Sequence, residues 1–176
     1  MLQVKTAAND GYDALQLGFG DRPVKGIKRP DAGHFQKSGS NPKRFIREVR
    51  TSELEDLAVG VQLRVEIFAA GEKIDIEGKS IGRGFSGGMK RHGFQGKGGS
   101  HGVHKTHRRV GSLGSSAYPA RVFPGKRLPG HYGDARTTIK NLTVVKVLAD
   151  RNLILILGAV PGARGGFLVL KKHETV

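Results

Sequence analysis

Residues 142–172 read LTVVKVLADRNLILILGAVPGARGGFLVLKK. Three runs rich in Val, Ile and Leu, at 142–148, 153–158 and 167–172, are divided by ADRN (149–152) and AVPGARGG (159–166). Short β-branched runs bounded by turn signals read as strands, and Pro-Gly and Gly-Gly turn a chain tightly. The stretch therefore predicts three strands in quick succession, the mark of a small antiparallel barrel or sandwich.

Upstream, Val61, Leu63, Val65 and Ile67 alternate with Gln62, Arg64 and Glu66. Ile74 and Ile76 alternate with Lys73, Asp75 and Glu77 beyond the turn signal AAGE (69–72). A period of two marks a half-buried strand, so 61–77 reads as a hairpin. YDALQLGF (12–19) is a further candidate strand. Between them, KRPDAGHFQKSGSNPKRFIREVR (28–50) is polar, basic and interrupted by Pro30 and Pro42. It reads as a surface loop with one helical turn around His34 to Lys37. SELE (52–55) has the spacing of a capping box, and Gly60 limits any helix there to a short one.

The charge is partitioned. From Gly78 to Gly133 there is no Asp or Glu, yet eleven of the thirty Lys and Arg lie there, with fifteen glycines and five histidines. That third of the chain carries +11 of the net +15. Long aliphatic runs are missing from it, so it cannot offset its own ordering entropy by burial. A chain of pI near 10.5 attracts polyanions, nucleic acid first among them. The sequence thus predicts a β-body built from 1–78 and 134–176, with 79–133 as a long irregular glycine-rich basic extension. No apolar run approaches a membrane span, MLQVKTAAND lacks the hydrophobic centre of a signal peptide, and cysteine is absent. A reducing interior, cytoplasmic or organellar, fits.

Enzyme readings fail on context. Gly82, Gly84 and Gly87 match G-x-G-x-x-G, but the preceding KIDIEGKSI is alternating and charged. The following GMKRHGFQGKGGSHG holds too many glycines for a helix, and no acid occurs before Asp134. Gly78-Lys79-Ser80 resembles the end of a phosphate loop, but Lys73 stands where its first glycine belongs. His101, His104 and His107 have spacing that zinc could use, yet no Cys or carboxylate accompanies them, and Lys105, Arg108 and Arg109 crowd the spot with like charge. Asp75 and Glu77 read as solvated strand residues. Ser112 to Ser116 has no base with a carboxylate orienter. No catalytic residue, metal site, cofactor or small-molecule substrate is expected.

Glycine, cation and aromatic together suit folded RNA. Glycine lets backbone approach phosphates, and its N–H groups donate to them. Lys and Arg neutralise phosphate charge, with Arg gripping through two bonds or stacking on a base. Phe85, Phe94, Tyr118 and Phe123 are spaced among the bases and can stack on RNA or pack the segment on itself.

At this point whole motifs carry a family likeness. GEKIDIEGKSIGRGFSGGMKRHGFQG (71–96), SHGVHKTHRRVGSLG (100–114), ARVFPGKRLPGHYGDARTTIKNLTVVKV (120–147) and DRNLILILGAVPGARGGFLVL (150–170) resemble the universal large-subunit ribosomal protein three family. DGYDALQLGF and GHFQKSG (33–39) extend the likeness almost end to end. The resemblance implies a β-barrel body on the large subunit and an extension that enters ribosomal RNA toward the peptidyl transferase centre without doing chemistry. It also implies binding near the 3′ end of the large RNA, early action in subunit assembly, and neighbouring large-subunit proteins as partners. By position, Lys90, Arg91, His92, Phe94, His101, His107, Arg108 and Arg109 fall in the RNA-contacting signature. The candidate RNA-binding set adds Lys79, Arg83, Lys97, Lys105, Arg121, Lys126, Arg127 and His131. Two departures stand out. Family members begin earlier, with a first strand containing glycine and threonine, whereas this chain begins at MLQVKT within what should be an early strand. Some members methylate a glutamine whose matching place here is Lys97, so that modification is not carried over. The rival reading is a general RNA chaperone or nucleoid-type protein outside the ribosome.

Overall fold

The computed structural model describes residues 1–51 and 58–173. The capping-box signal at 52–55 lies outside the described residues. The chain is mainly β and divides into two compact units, Met1–Ile67 with Ala149–Asn152, and Phe68–Leu148 with Leu153–Val176.

In the first unit the order is β1 (Gln3–Lys5), α1 (Ala7–Asp10), β2 (Ala14–Asp21), α2 (Arg29–Lys37) and β3 (Lys43–Arg50). The three strands form an antiparallel sheet in the order β1-β2-β3, with Val4 opposite Leu15 and Leu15 opposite Val49. Leu2, Ala14, Leu15 and Phe35 are buried. Polar side chains join the strands. The Lys5 ammonium donates to the Tyr12 hydroxyl at 2.8 Å and pairs with Glu48 at 2.8 Å, while the Tyr12 hydroxyl donates to Glu48 at 2.8 Å. The His34 ring nitrogen lies 2.6 Å from the Gln16 amide oxygen, linking α2 to the sheet.

The expected loop at 28–50 is corrected here, since it holds α2 and β3. Pro30 sits in the first helical turn, where its missing N–H is no loss and its fixed φ suits the helix. A residue taken as a breaker therefore starts the element. Phe35 is the buried residue of α2, and the Ser38 hydroxyl closes its end by donating to the Phe35 carbonyl at 2.9 Å. The charges of KRFIREVR hid a strand whose reality comes from pairing with β2 over Asp21 to Ala14.

The expected strand at 61–67 is also absent. Val65–Ile67 is a single 3-10 turn, and the Val65 N–H donates to the Asn152 side chain at 3.0 Å. Val61, Leu63 and Ile67 stay exposed. Alternation makes a strand only where a neighbouring edge takes its hydrogen bonds, and here the backbone bonds to the Asn152 side chain, the Met1 amino group and local turns instead.

The second unit begins at Phe68. The turn at 69–72 forms as expected, with Gly71 at φ +84° and the Ala69 N–H donating to the Glu72 carboxylate at 2.9 Å. The strands that follow are β4 (Lys73–Lys79), β5 (Phe85–Ser86), β6 (Gly130–His131), β7 (Arg136–Leu148), β8 (Leu153–Leu157) and β9 (Leu168–Lys172), with helix α3 (Gly88–His92) between β5 and β6. A four-stranded antiparallel sheet has the order β8-β7-β4-β9. β4 therefore pairs with strands that follow the basic segment, Ile76 opposite both Ile139 and Leu170. Ile74, Ile76 and Val144 are buried, packed by Phe68, Leu142, Val147, Ile154, Ile156, Leu168 and Leu170. Burial of each such side chain is worth about 1.5–3 kcal/mol.

Two irregularities bend β7. Ile74 faces Leu142 but Ile76 faces Ile139, so β7 carries one extra residue there. Asn141, at φ +61°, donates its N–H to the Asp75 carboxylate at 2.9 Å. A second extra residue, Val145, lies between the partners of Ile156 and Leu155. The barrel expected from sequence is corrected: among the described residues both larger sheets are open, one ending at β1 and β3 and the other at β8 and β9.

Candidate nucleic-acid interface

The two ends of the acid-free segment run side by side. β4 and β7 bring Lys79 opposite Arg136, and the pairing continues outward from there. The Ser80 N–H donates to the Ala135 carbonyl at 2.9 Å, and the Asp134 N–H donates to the Ser80 carbonyl at 3.1 Å. Further out, the Arg83 N–H donates to the Tyr132 carbonyl at 2.8 Å, and the Tyr132 N–H donates to the Gly84 carbonyl at 2.9 Å. The two-residue ribbon β5–β6 follows, Phe85 opposite His131 and Ser86 opposite Gly130. Glycine is required for this approach. Gly133 has φ +70°, and a side chain there would meet the Ile81 carbonyl and lie 3.0 Å from the Gly82 Cα.

Next comes α3. Sequence reading expected glycine to prevent any helix here, and this too is corrected: one short turn forms, closed by Gly93 at φ +71°. It is a single turn on an antiparallel ribbon, so the nucleotide-loop frame of strand, glycines and long helix is not built. Two of the candidate RNA contacts on it face inward. The Arg91 guanidinium donates to the Leu128 carbonyl at 2.7 Å, and the His92 ring nitrogen donates to the same oxygen at 3.1 Å. A side chain at Gly130 would lie 2.7 Å from the Arg91 guanidinium, so glycine makes room for it. Phe94 is half-buried. Its ring sits where a Gly88 side chain would be, 5.8 Å from the His92 ring. The Lys97 N–H donates to the His107 carbonyl at 2.9 Å, and the His107 Nδ1–H donates to the Gly98 carbonyl at 2.9 Å. Gly88 thus lies beside Phe94 and Val110, and Gly96 beside Met89 and the His107 carbonyl.

The other candidates are exposed: Lys79, Arg83, Lys90, Lys97, His101, Lys105, His107, Arg108, Arg109, Arg121, Lys126, Arg127 and His131. Lys79 alone among the segment's bases pairs with a carboxylate among the described residues, Asp134 at 2.7 Å. The hydrogen bond from Lys79 holds the Asp134 carboxyl below its ordinary range, helped by the charges of Lys79 and His131. The Arg121 guanidinium lies 5.6 Å from the Phe123 ring centre, within cation–π range. His101, His104 and His107 are not gathered, and no group of three potential metal ligands occurs among the described residues.

The site gains two side chains that the candidate set lacked. Phe85 is 83% exposed and Tyr118 87% exposed. The sequence signal for them was present, an aromatic spaced among the segment's bases, but Phe94 carried the same signal and is packed. The surface therefore combines unpaired cations with exposed rings. It can neutralise phosphates and stack on bases, and it brings together no nucleophile–base pair. Among the described residues no helix is long and apolar enough to cross a membrane.

Comparison with known proteins gives one consistent result. The family described as ribosomal protein L3 matches residues 47–154. A protein of Pelotomaculum thermopropionicum named large ribosomal subunit protein uL3 is 51% identical over 172 residues, covering 98% of this chain and 81% of that protein. Proteins of the same name from Carboxydothermus hydrogenoformans and Corynebacterium jeikeium are 49% and 46% identical over 172 and 169 residues. They cover 98% and 96% of this chain, and 81% and 78% of their own lengths.

Proposed function

The chain belongs to the ribosomal protein L3 family, and from that premise we propose that residues 79–133 form an arm that binds large-subunit ribosomal RNA. The protein is a structural, non-enzymatic component of the large ribosomal subunit, working on the ribosome in the cytoplasm. The rest of the chain docks on the subunit beside neighbouring large-subunit proteins, and the arm runs among RNA helices toward the peptidyl transferase centre. Binding takes place early in subunit assembly.

One observation carries this reading. Ten of the eleven Lys and Arg between Gly78 and Gly133 have no carboxylate partner among the described residues. Such cations find their counter-charge on a polyanion, and each phosphate they neutralise releases counterions. Arg91, His92 and Phe94 have a different part, holding the base of the arm together, while the exposed bases meet phosphate.

The test is binding of the full chain to a large-subunit RNA transcript across a salt series. With six to ten phosphate contacts the affinity falls about 10³- to 10⁵-fold between 50 and 200 mM salt. A flat response overturns the reading. Co-sedimentation with large subunits after a high-salt wash separates a ribosomal component from a general RNA chaperone, which washes off.

A further inference from the structure

Phe85 is 83% exposed in the middle of a hydrogen-bonded ribbon, although a bare ring in water gains nothing from the fold. The exposure has a backbone cause. Arg83 and Gly84 both bond to the single residue Tyr132, so two residues face one, as at a β-bulge. Gly84 takes φ +61° to allow it. A bulge re-aims the side chain that follows, and that side chain is Phe85. Its cross-strand partner is His131, also exposed, and directly opposed residues of an antiparallel pair project from one face. The ribbon's other positions are held from within. Ser86 is buried with its hydroxyl donating to the Arg83 carbonyl at 3.1 Å, and Arg91 lies against Gly130. The ribbon thus has one face fixed and one face carrying two rings. Asp134, three residues beyond His131, is already paired with Lys79.

We propose that Phe85 and His131 form a stacking site for one unpaired RNA base at the root of the basic segment. The inference rests on the RNA-binding reading above and adds the ligand and the residues. A flat ring beside unpaired cations fits a nucleotide, whose base stacks while its phosphate meets positive charge. Bases within a duplex have both faces covered by their neighbours, so the site takes a base from a loop, bulge or end. Phe94 does not serve this way because its half-buried ring lies over Gly88.

The experiment uses the full chain and two RNAs of equal length, each carrying one 2-aminopurine. In one it stands in a single-stranded loop, in the other inside a fully paired stem. Stacking on an aromatic ring quenches this base. Wild type binds the looped RNA more tightly and quenches it further on binding. Phe85→Ala loses about 5- to 100-fold in affinity for the looped RNA together with the added quench, and keeps the paired-stem affinity and the salt slope. Phe85→Trp retains both. Because Phe85 is exposed, unchanged circular dichroism is expected for both variants. Looped-RNA affinity and quench unchanged in Phe85→Ala overturn the stacking site and leave the RNA-binding reading standing. An equal loss on both RNAs overturns it too, since stacking on an unpaired base acts on one alone. Wild type binding neither RNA overturns the RNA-binding reading itself.

Discussion

Gly133 and Gly99 show how differently two glycines of one segment are used. Gly133, at φ +70°, lies against the Ile81 carbonyl, where a side chain has no room. Gly99 has nothing within 4 Å of a built side chain and no positive φ. Gly133→Ala is expected to open the root of the segment by roughly 1–3 kcal/mol through backbone strain, read as faster hydrogen exchange of the Arg83 and Tyr132 amides. Gly99→Ala leaves those amides unchanged. Phe94 belongs at the same scale. Its ring packs over Gly88, so Phe94→Ala is expected to lower stability, by less than the roughly 3–5 kcal/mol of a fully buried ring. Nothing local in GMKRHGFQG distinguishes Phe94 from Phe85. The difference arises where Gly88 leaves room for one ring, while the bulge at Gly84 turns the other outward.

Among the elements, β4 carries the second unit. It is the strand with partners on both sides whose Ile74 and Ile76 are wholly buried, so Ile76→Ala is expected to cost about 2–5 kcal/mol in denaturant unfolding. Its alternation was legible in KIDIE; its partners were not, because β7 and β9 lie beyond the basic segment and pairing depends on what folding brings alongside. In the first unit, β1, β2 and β3 are tied by Glu48. Hydrogen bonds from Lys5, Tyr12 and Gln16 push its carboxyl from 4.5 down to about 2. A carboxyl lowered in the folded state lends stability that is full above its unfolded pKa and lost as pH falls through the folded one. The stability gap between wild type and Glu48→Gln is therefore expected to stand at pH 6 and to close between about 4.5 and about 2. Urea midpoints across that range measure it. A gap that stays constant counts against the network.

For the whole molecule, the basic segment should be separable from the body. The Ile81 and Tyr132 regions are adjacent, so deleting 82–131 and joining the ends by a short turn is expected to leave a folded, cooperative β protein. Its RNA affinity should fall to that of weak, non-specific binding; an unfolded product would show that the segment is part of the core. What the sequence alone determined is what is local or additive. The absence of acid over Gly78 to Gly133 is a count, the strands of 142–172 are a run of side chains, and the family likeness is a string of motifs. Tertiary structure decided everything that depends on a partner. It placed a 3-10 turn, Val65–Ile67, where the alternation of 61–67 predicts a strand, and set Pro30 in the first turn of a helix. It left both sheets open and assigned Arg91 and His92 to the Leu128 carbonyl. The reason is physical. Charge and side-chain period belong to the residues themselves, whereas hydrogen-bond partners and burial exist only once distant segments of chain have met.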